Sequence, residues 1–139
     1  MTAAAVKQAA PGTRDTTWSE AGARQRGLVV PIANRNALAV LSGDAVARIE
    51  AGHPAIQTDE RLGVGSRLSE LRAAYGAVCA EVIDGRVVVW FARAPGAAFA
   101  LDAPAPRSGA ELDAGRVPAT AQVTRWWLSR DAEVCPSGG

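Results

Sequence analysis

The feature that most constrains this chain is that its second half repeats the order of its first. Thr2 to Ala10 (TAAAVKQAA) has a short Ala-rich helical pattern followed by apolar, strand-like runs, and Arg67 to Tyr75 (RLSELRAAY) opens a second round in the same order. Val6 and Leu71, Lys7 and Arg72, and Ala9 and Ala74 correspond at one offset (71 − 6 = 65). Ala45-Val46-Ala47-Arg48-Ile49 matches Gln122-Val123-Thr124-Arg125-Trp126 at another (125 − 48 = 77). Self-similarity of this kind restricts the architecture before any motif is considered, because each copy must form the same unit.

Local signals then set the unit. Thr2 and Ser66 are placed to cap the two helices, and Gly12 and Gly76 fall where a helix hands over to the next element. After the second helix, Val78–Ile83 and Arg86–Phe91 are β-rich runs separated only by Asp84-Gly85, the turn dipeptide that favours a two-residue hairpin. Ala97–Leu101 and Gln122–Ser129 complete four strands. In the first copy the corresponding runs are Thr13–Trp18, Leu28–Ile32, Ala37–Leu41 and Ala45–Ala51, with Ser42-Gly43-Asp44 as the last turn. All connections but one are too short for a parallel crossover. The expected fold class is therefore α+β: two tandem repeats, each one helix followed by a four-stranded antiparallel meander, with the helices packed on one face of the sheet. Residues 1–55 form repeat 1, 56–65 a linker and 66–139 repeat 2, which carries a long Pro- and Gly-rich loop at 102–118.

Composition excludes several functions. Fifteen basic against fourteen acidic residues leave a net charge of +1, and the arginines at positions 14, 24, 26, 35 and 48 are interleaved with Asp15, Glu20, Asp44 and Glu50. A nucleic-acid footprint needs clustered Lys and Arg, so no nucleic-acid partner is expected. No stretch reaches the ~18 apolar residues of a membrane-spanning helix, so no membrane insertion is expected.

Catalytic signals are weak. The single histidine, His53, precedes Pro54 between the copies. Asp59-Glu60 lies in the linker, Asp84 in a hairpin turn, and Glu111 and Asp113 in the long loop, so no carboxylate pair or triad is defined. Gly63-Val64-Gly65 lacks the third glycine and the βαβ context of a dinucleotide site, and reads as a tight turn. No enzyme activity, metal site or cofactor is expected.

The fourth strands are more informative. Alternation places Val46, Arg48 and Glu50 on one face and Ala47, Ile49 and Ala51 on the other. In the second copy it places Val123, Arg125 and Trp127 against Thr124, Trp126 and Leu128. With Ile49 and Trp126 under the helices, Arg48, Arg125 and Trp127 are left on the opposite, open face. An arginine beside a large aromatic is the composition of an interface anchor, so these three are the candidate partner-binding residues. The alternative is that Trp127 covers an edge or packs beneath the 102–118 loop.

A tandem helix-plus-meander pattern with the lead-in Val64-Gly65-Ser66 and the exit Tyr75-Gly76 resembles the bacterial β-lactamase-inhibitor-protein-like superfamily. It is similar, unit by unit, to the small outer-membrane assembly lipoproteins. The resemblance covers nearly the whole chain. It implies an exported, non-catalytic protein that binds another protein through a concave sheet and its loops. The five matching residues are structural, and no inhibitory loop can be transferred. The first helix follows Met1 without the lead-in seen before the second, which leaves room for a missing N-terminal lead-in and any export signal before it; the expected location is periplasmic or secreted, with a cytoplasmic one as the alternative.

Cys79 and Cys135 are too far apart for a C-x-x-C half-site. In an up-and-down meander the start of its first strand and the end of its fourth lie at the same end of the sheet, so in an exported chain Cys79 and Cys135 are expected to form a disulfide. In a cytosolic chain two free thiols are the default. Two functional readings follow: a protein-binding module of the cell envelope or exterior, docking through the open face and the 102–118 loop, or a structural or assembly component of the envelope. A small enzyme ranks third.

Overall fold

The computed structural model describes residues 1–32, 34–83, 85–103 and 117–129. In chain order the elements are α1 (Ala3–Ala9), β1 (Arg14–Glu20), β2 (Ala23–Ile32), β3 (Arg35–Ser42), β4 (Ala45–Ala51), α2 (Leu68–Tyr75), β5 (Val78–Ile83), β6 (Arg86–Phe91), β7 (Ala97–Leu101) and β8 (Val123–Ser129). Thr2 caps α1, its Oγ1 accepting the Ala5 N–H at 3.2 Å. Ser66 does not cap α2. Arg67 holds that position and donates its backbone N–H to Glu70 Oε1 at 3.0 Å, while Ser66 Oγ accepts the Gly63 N–H and tightens the preceding turn. The β5–β6 hairpin closes on the pair Ile83 and Arg86; Asp84 of its turn lies outside the described residues.

The expected fold class is overturned at the level of assembly. The eight strands form one antiparallel sheet in the order β1-β2-β3-β4-β8-β7-β6-β5, rather than two helix-plus-meander repeats with their helices packed on one face of the sheet. The helices, of seven and eight residues, are too short to make a helical layer over a sheet this wide. The seam is the pairing of β4 with β8, where Arg48, Ile49, Glu50 and Ala51 lie opposite Ser129, Leu128, Trp127 and Trp126. Joining the meanders there removes two open strand edges, whose unpaired N–H and C=O groups would otherwise face water. Each helix start is tied to a fourth strand, through bridges from Thr2 to Ala45 and from Arg67 to Gln122.

The core crosses this seam. Its main cluster joins Ala37 and Ala51 of the first half to Leu68, Leu71, Tyr75, Phe91, Phe99 and Trp126 of the second. A smaller one gathers Ala3, Val6, Leu28, Val30, Ala39 and Leu41. Ile56 and Leu62, in the segment read as a linker, are 6% and 7% exposed and belong to the main core. The Trp126 Nε1–H donates to the Ile56 carbonyl at 3.4 Å, so this segment is packed chain and not a tether.

Two β-bulges correct the alternation expected in the fourth strands. Val40 pairs with Arg48 but Leu41 with Val46, leaving Ala47 as the extra residue. Ala100 pairs with Arg125 but Leu101 with Val123, leaving Thr124. An extra residue shifts the side-chain phase by one. Val46 therefore packs against the cluster around Val6, and Val123 is buried with Trp126, both on the core face and not beside the arginines. The bulges lie 77 residues apart (124 − 47), the offset that relates Arg48 to Arg125 in the sequence.

Tyr75 ends α2 with its ring against Phe91 and Phe99 and its hydroxyl 2.8 Å from both Thr58 Oγ1 and Glu60 Oε2. Its single proton serves the carboxylate, and the Thr58 hydroxyl supplies the other bond. Burial, with the Glu60 carboxylate alongside, pushes the phenol up from 10.0 to about 12. A raised folded-state value means the neutral phenol is favoured in the fold. Its contribution is complete below pH 10 and is lost as pH rises towards about 12. Since Tyr75 is the only tyrosine, tyrosinate absorbance should titrate near 12 in the folded protein, with stability falling across that window. A midpoint at the ordinary tyrosine value in folded protein would contradict this environment.

Candidate functional site

The strand registers place a continuous row of side chains across the open face. Cys79, Trp90, Ala98, Trp127, Glu50 and Leu38 are successive cross-strand partners from β5 to β3. Arg48 and Arg125 flank the row on β4 and β8, so the structure brings together the three residues singled out by alternation. Glu50, which sequence reading put on this face without a role, lies at their centre with its side chain 11% exposed. Its Oε1 is 2.9 Å from Arg48 Nε, and its Oε2 is 3.9 Å from Arg125 Nη1. The Arg48 Nε–H gains no hydrogen bond among the described residues, so the close approach pairs charges off the N–H axis. The Arg125 guanidinium sits 5.6 Å from the centre of the Trp127 ring, within cation–π range. Trp127 itself packs on Val88, Ala98 and Ala100.

The first half contributes Trp18, which sequence reading placed only at the end of a strand. Its ring lies over Gly27. A Cβ built there would be 2.8 Å from Trp18 Cζ3 and 2.6 Å from the Ala39 carbonyl oxygen. Glycine is therefore required by the aromatic and by the neighbouring strand. Trp18 and Glu20 of β1 line the same cavity as Ile83 of β5, although β1 and β5 are opposite edges of the sheet. The sheet thus curls about its open face, which becomes concave. The cavity encloses about 360 Å³, also bounded by Leu38, Arg48, Glu50, Arg125 and Trp127. Apolar walls from two tryptophans, Leu38 and Ile83 surround a charged centre. That arrangement suits an amphipathic ligand.

The remaining sequence candidates lie elsewhere. His53 Nδ1 accepts the Ala55 N–H at 3.0 Å within a turn. Glu60 is taken up by Tyr75, whose hydrogen bond holds the carboxylate below its usual range. Cys79 is on β5 opposite Trp90 and carries no free thiol; Cys135 lies outside the described residues. So do positions 104–116 of the loop expected to assist docking, along with Glu111 and Asp113. No helix among the described residues is long and apolar enough to cross a membrane.

A continuous antiparallel sheet curled around an aromatic and charged concave face defines the class. No protein-family profile and no curated protein matches the chain. Among solved structures, it is similar to the crystal structure of the uncharacterized protein yfeY from Escherichia coli, with a TM-score of 0.62 and 15% identity over 91% of this chain and 87% of that one. At that identity the likeness concerns the fold alone.

Proposed function

We propose that this protein is a non-catalytic binding module of the bacterial cell envelope or exterior, which docks another protein in the concave face of its sheet. The observation that carries the reading is the convergence of Trp18, Arg48, Arg125 and Trp127, from strands far apart in sequence, on one cavity around Glu50. Trp and Arg are the side chains most enriched where protein interfaces hold their binding energy. The resemblance to the β-lactamase-inhibitor-protein-like superfamily supports the same reading and remains a proposal, as does the envelope location.

Arg125→Glu tests the docking face, because this side chain is half-exposed and packs little of the core. Immobilised wild-type protein should retain an envelope protein of its native host that Arg125→Glu fails to retain, with melting temperatures within a few degrees of each other. Equal retention by both would place docking on another surface. The envelope reading has its own check. Protein taken from the native host and denatured without reductant should show no reactive thiol, since Cys79 and Cys135 are its only cysteines. Two thiols per chain would remove the physical support for export.

A further inference from the structure

We propose that the segment received by the concave face is an acidic peptide, presenting an Asp or Glu carboxylate to Arg125 and apolar side chains to the surrounding tryptophans. This rests on the docking reading above. Glu50 is one carboxylate between two guanidiniums, and the distances show how it divides: 2.9 Å to Arg48 and 3.9 Å to Arg125. At the longer distance Arg125 has charge proximity without a hydrogen bond. Its planar fork, steadied on the Trp127 ring, is free to take a carboxylate through two parallel N–H bonds.

Carboxylates of Glu20, Glu50 and Glu81 also line this face, yet some of its donors go unmatched. Besides the spare Arg125 N–H groups, the buried Arg48 Nε and Trp90 Nε1 have no hydrogen-bond partner among the described residues. Those two atoms are shut off from solvent and Trp90 lies outside the cavity lining, so the donor an occupant can reach is the Arg125 guanidinium. A carboxylate on Arg125 would also leave Glu50 to Arg48 alone, allowing that pair to align.

The walls narrow the occupant further. Trp18, Leu38, Ile83 and Trp127 offer apolar contact on the sides, and the volume of about 360 Å³ is room enough for several side chains. Glu20 on the rim and Glu50 in the centre oppose a multiply charged phosphate or an anionic membrane surface. A single carboxylate set among apolar groups meets less of this repulsion than a multiply charged group, and a protein segment provides that combination.

The full-length protein, immobilised, would be screened against phage-displayed random heptapeptides, with the Arg125→Glu variant as the counter-screen. Enriched sequences should carry Asp or Glu beside aromatic or aliphatic residues. For the best synthetic peptide, changing that acid to its amide should weaken binding about tenfold, as should Arg125→Gln. The two changes together should cost little more than either alone, because they remove one interaction. Glu20→Gln, which takes away a repelling charge, should tighten binding. Basic or uncharged winners, or an acid-to-amide change without effect, would overturn the acidic chemistry and leave peptide docking standing. No enrichment over the counter-screen, or Arg125-dependent binding to phosphatidylglycerol vesicles in its place, would overturn both readings.

Discussion

Phe99→Ala should lower the stability of this protein by about 4 kcal/mol, the range for removing a fully buried aromatic ring. Phe99 is 0% exposed on β7, with ring centres 5.8 Å from Trp126, 6.1 Å from Tyr75 and 6.1 Å from Phe91. The flanking groups belong to α2, β6 and β8, so no single element can collapse into the space and the cavity should persist. Since a domain of this kind has only about 5–15 kcal/mol in total, the loss takes a large share of it. Urea unfolding should show a lower midpoint with an unchanged slope. The consequence reaches the site as well. Trp126, stacked on Phe99, lies opposite Ala51 at the β4–β8 seam, and the next pair in that register is Glu50 with Trp127. A loss below about 1.5 kcal/mol would show that the neighbours can close the gap.

Gly27→Ala should cost about 3 kcal/mol, at the upper end for inserting one methyl group into a tight space. The added Cβ would meet the Ala39 carbonyl oxygen at 2.6 Å and the Trp18 ring at 2.8 Å. The carbonyl belongs to β3, which is paired with β2 in a fixed ladder, so it cannot retreat without stretching backbone hydrogen bonds. Trp18 can move, and its displacement from the cavity should appear as a shift in tryptophan emission even where the protein stays folded. Ligand binding at the concave face should weaken alongside. If Gly27→Ala left both stability and emission unaltered, the close approach of Trp18 to the strand would be wrong.

Part of the candidate site was legible without a structure. Arg48, Arg125 and Trp127 follow from strand alternation, which acts over a few residues and is readable wherever one face is buried. Trp18, Glu50 and Ile83 were not singled out, for a different physical reason. Trp18 and Ile83 come from opposite edges of the sheet and meet only because the sheet curls. Glu50 matters only because β4 lies beside β8, which sets it against Trp127. Val46 and Val123 were assigned to the wrong face because no residue type marks a wide departure from alternation such as the bulges at Ala47 and Thr124. Those bulges are recognised from the cross-strand partner, which the local sequence does not name.

The sequence by itself determined the Thr2 cap of the first helix, the Asp84-Gly85 hairpin position and the core of most strands, since these depend on side chains within a few positions of one another; the Arg67 cap and the early start of β2 at Ala23 were not read from it. The tertiary structure alone decided that the two meanders fuse into one eight-stranded sheet, that Ile56 and Leu62 enter its core and that its edges converge on a cavity. Every strand edge offers the same backbone donors and acceptors, so local sequence cannot say which edges will pair. That choice falls to the whole chain, which settles on the pairing that covers β4 and β8 together and buries Trp126 beneath the seam.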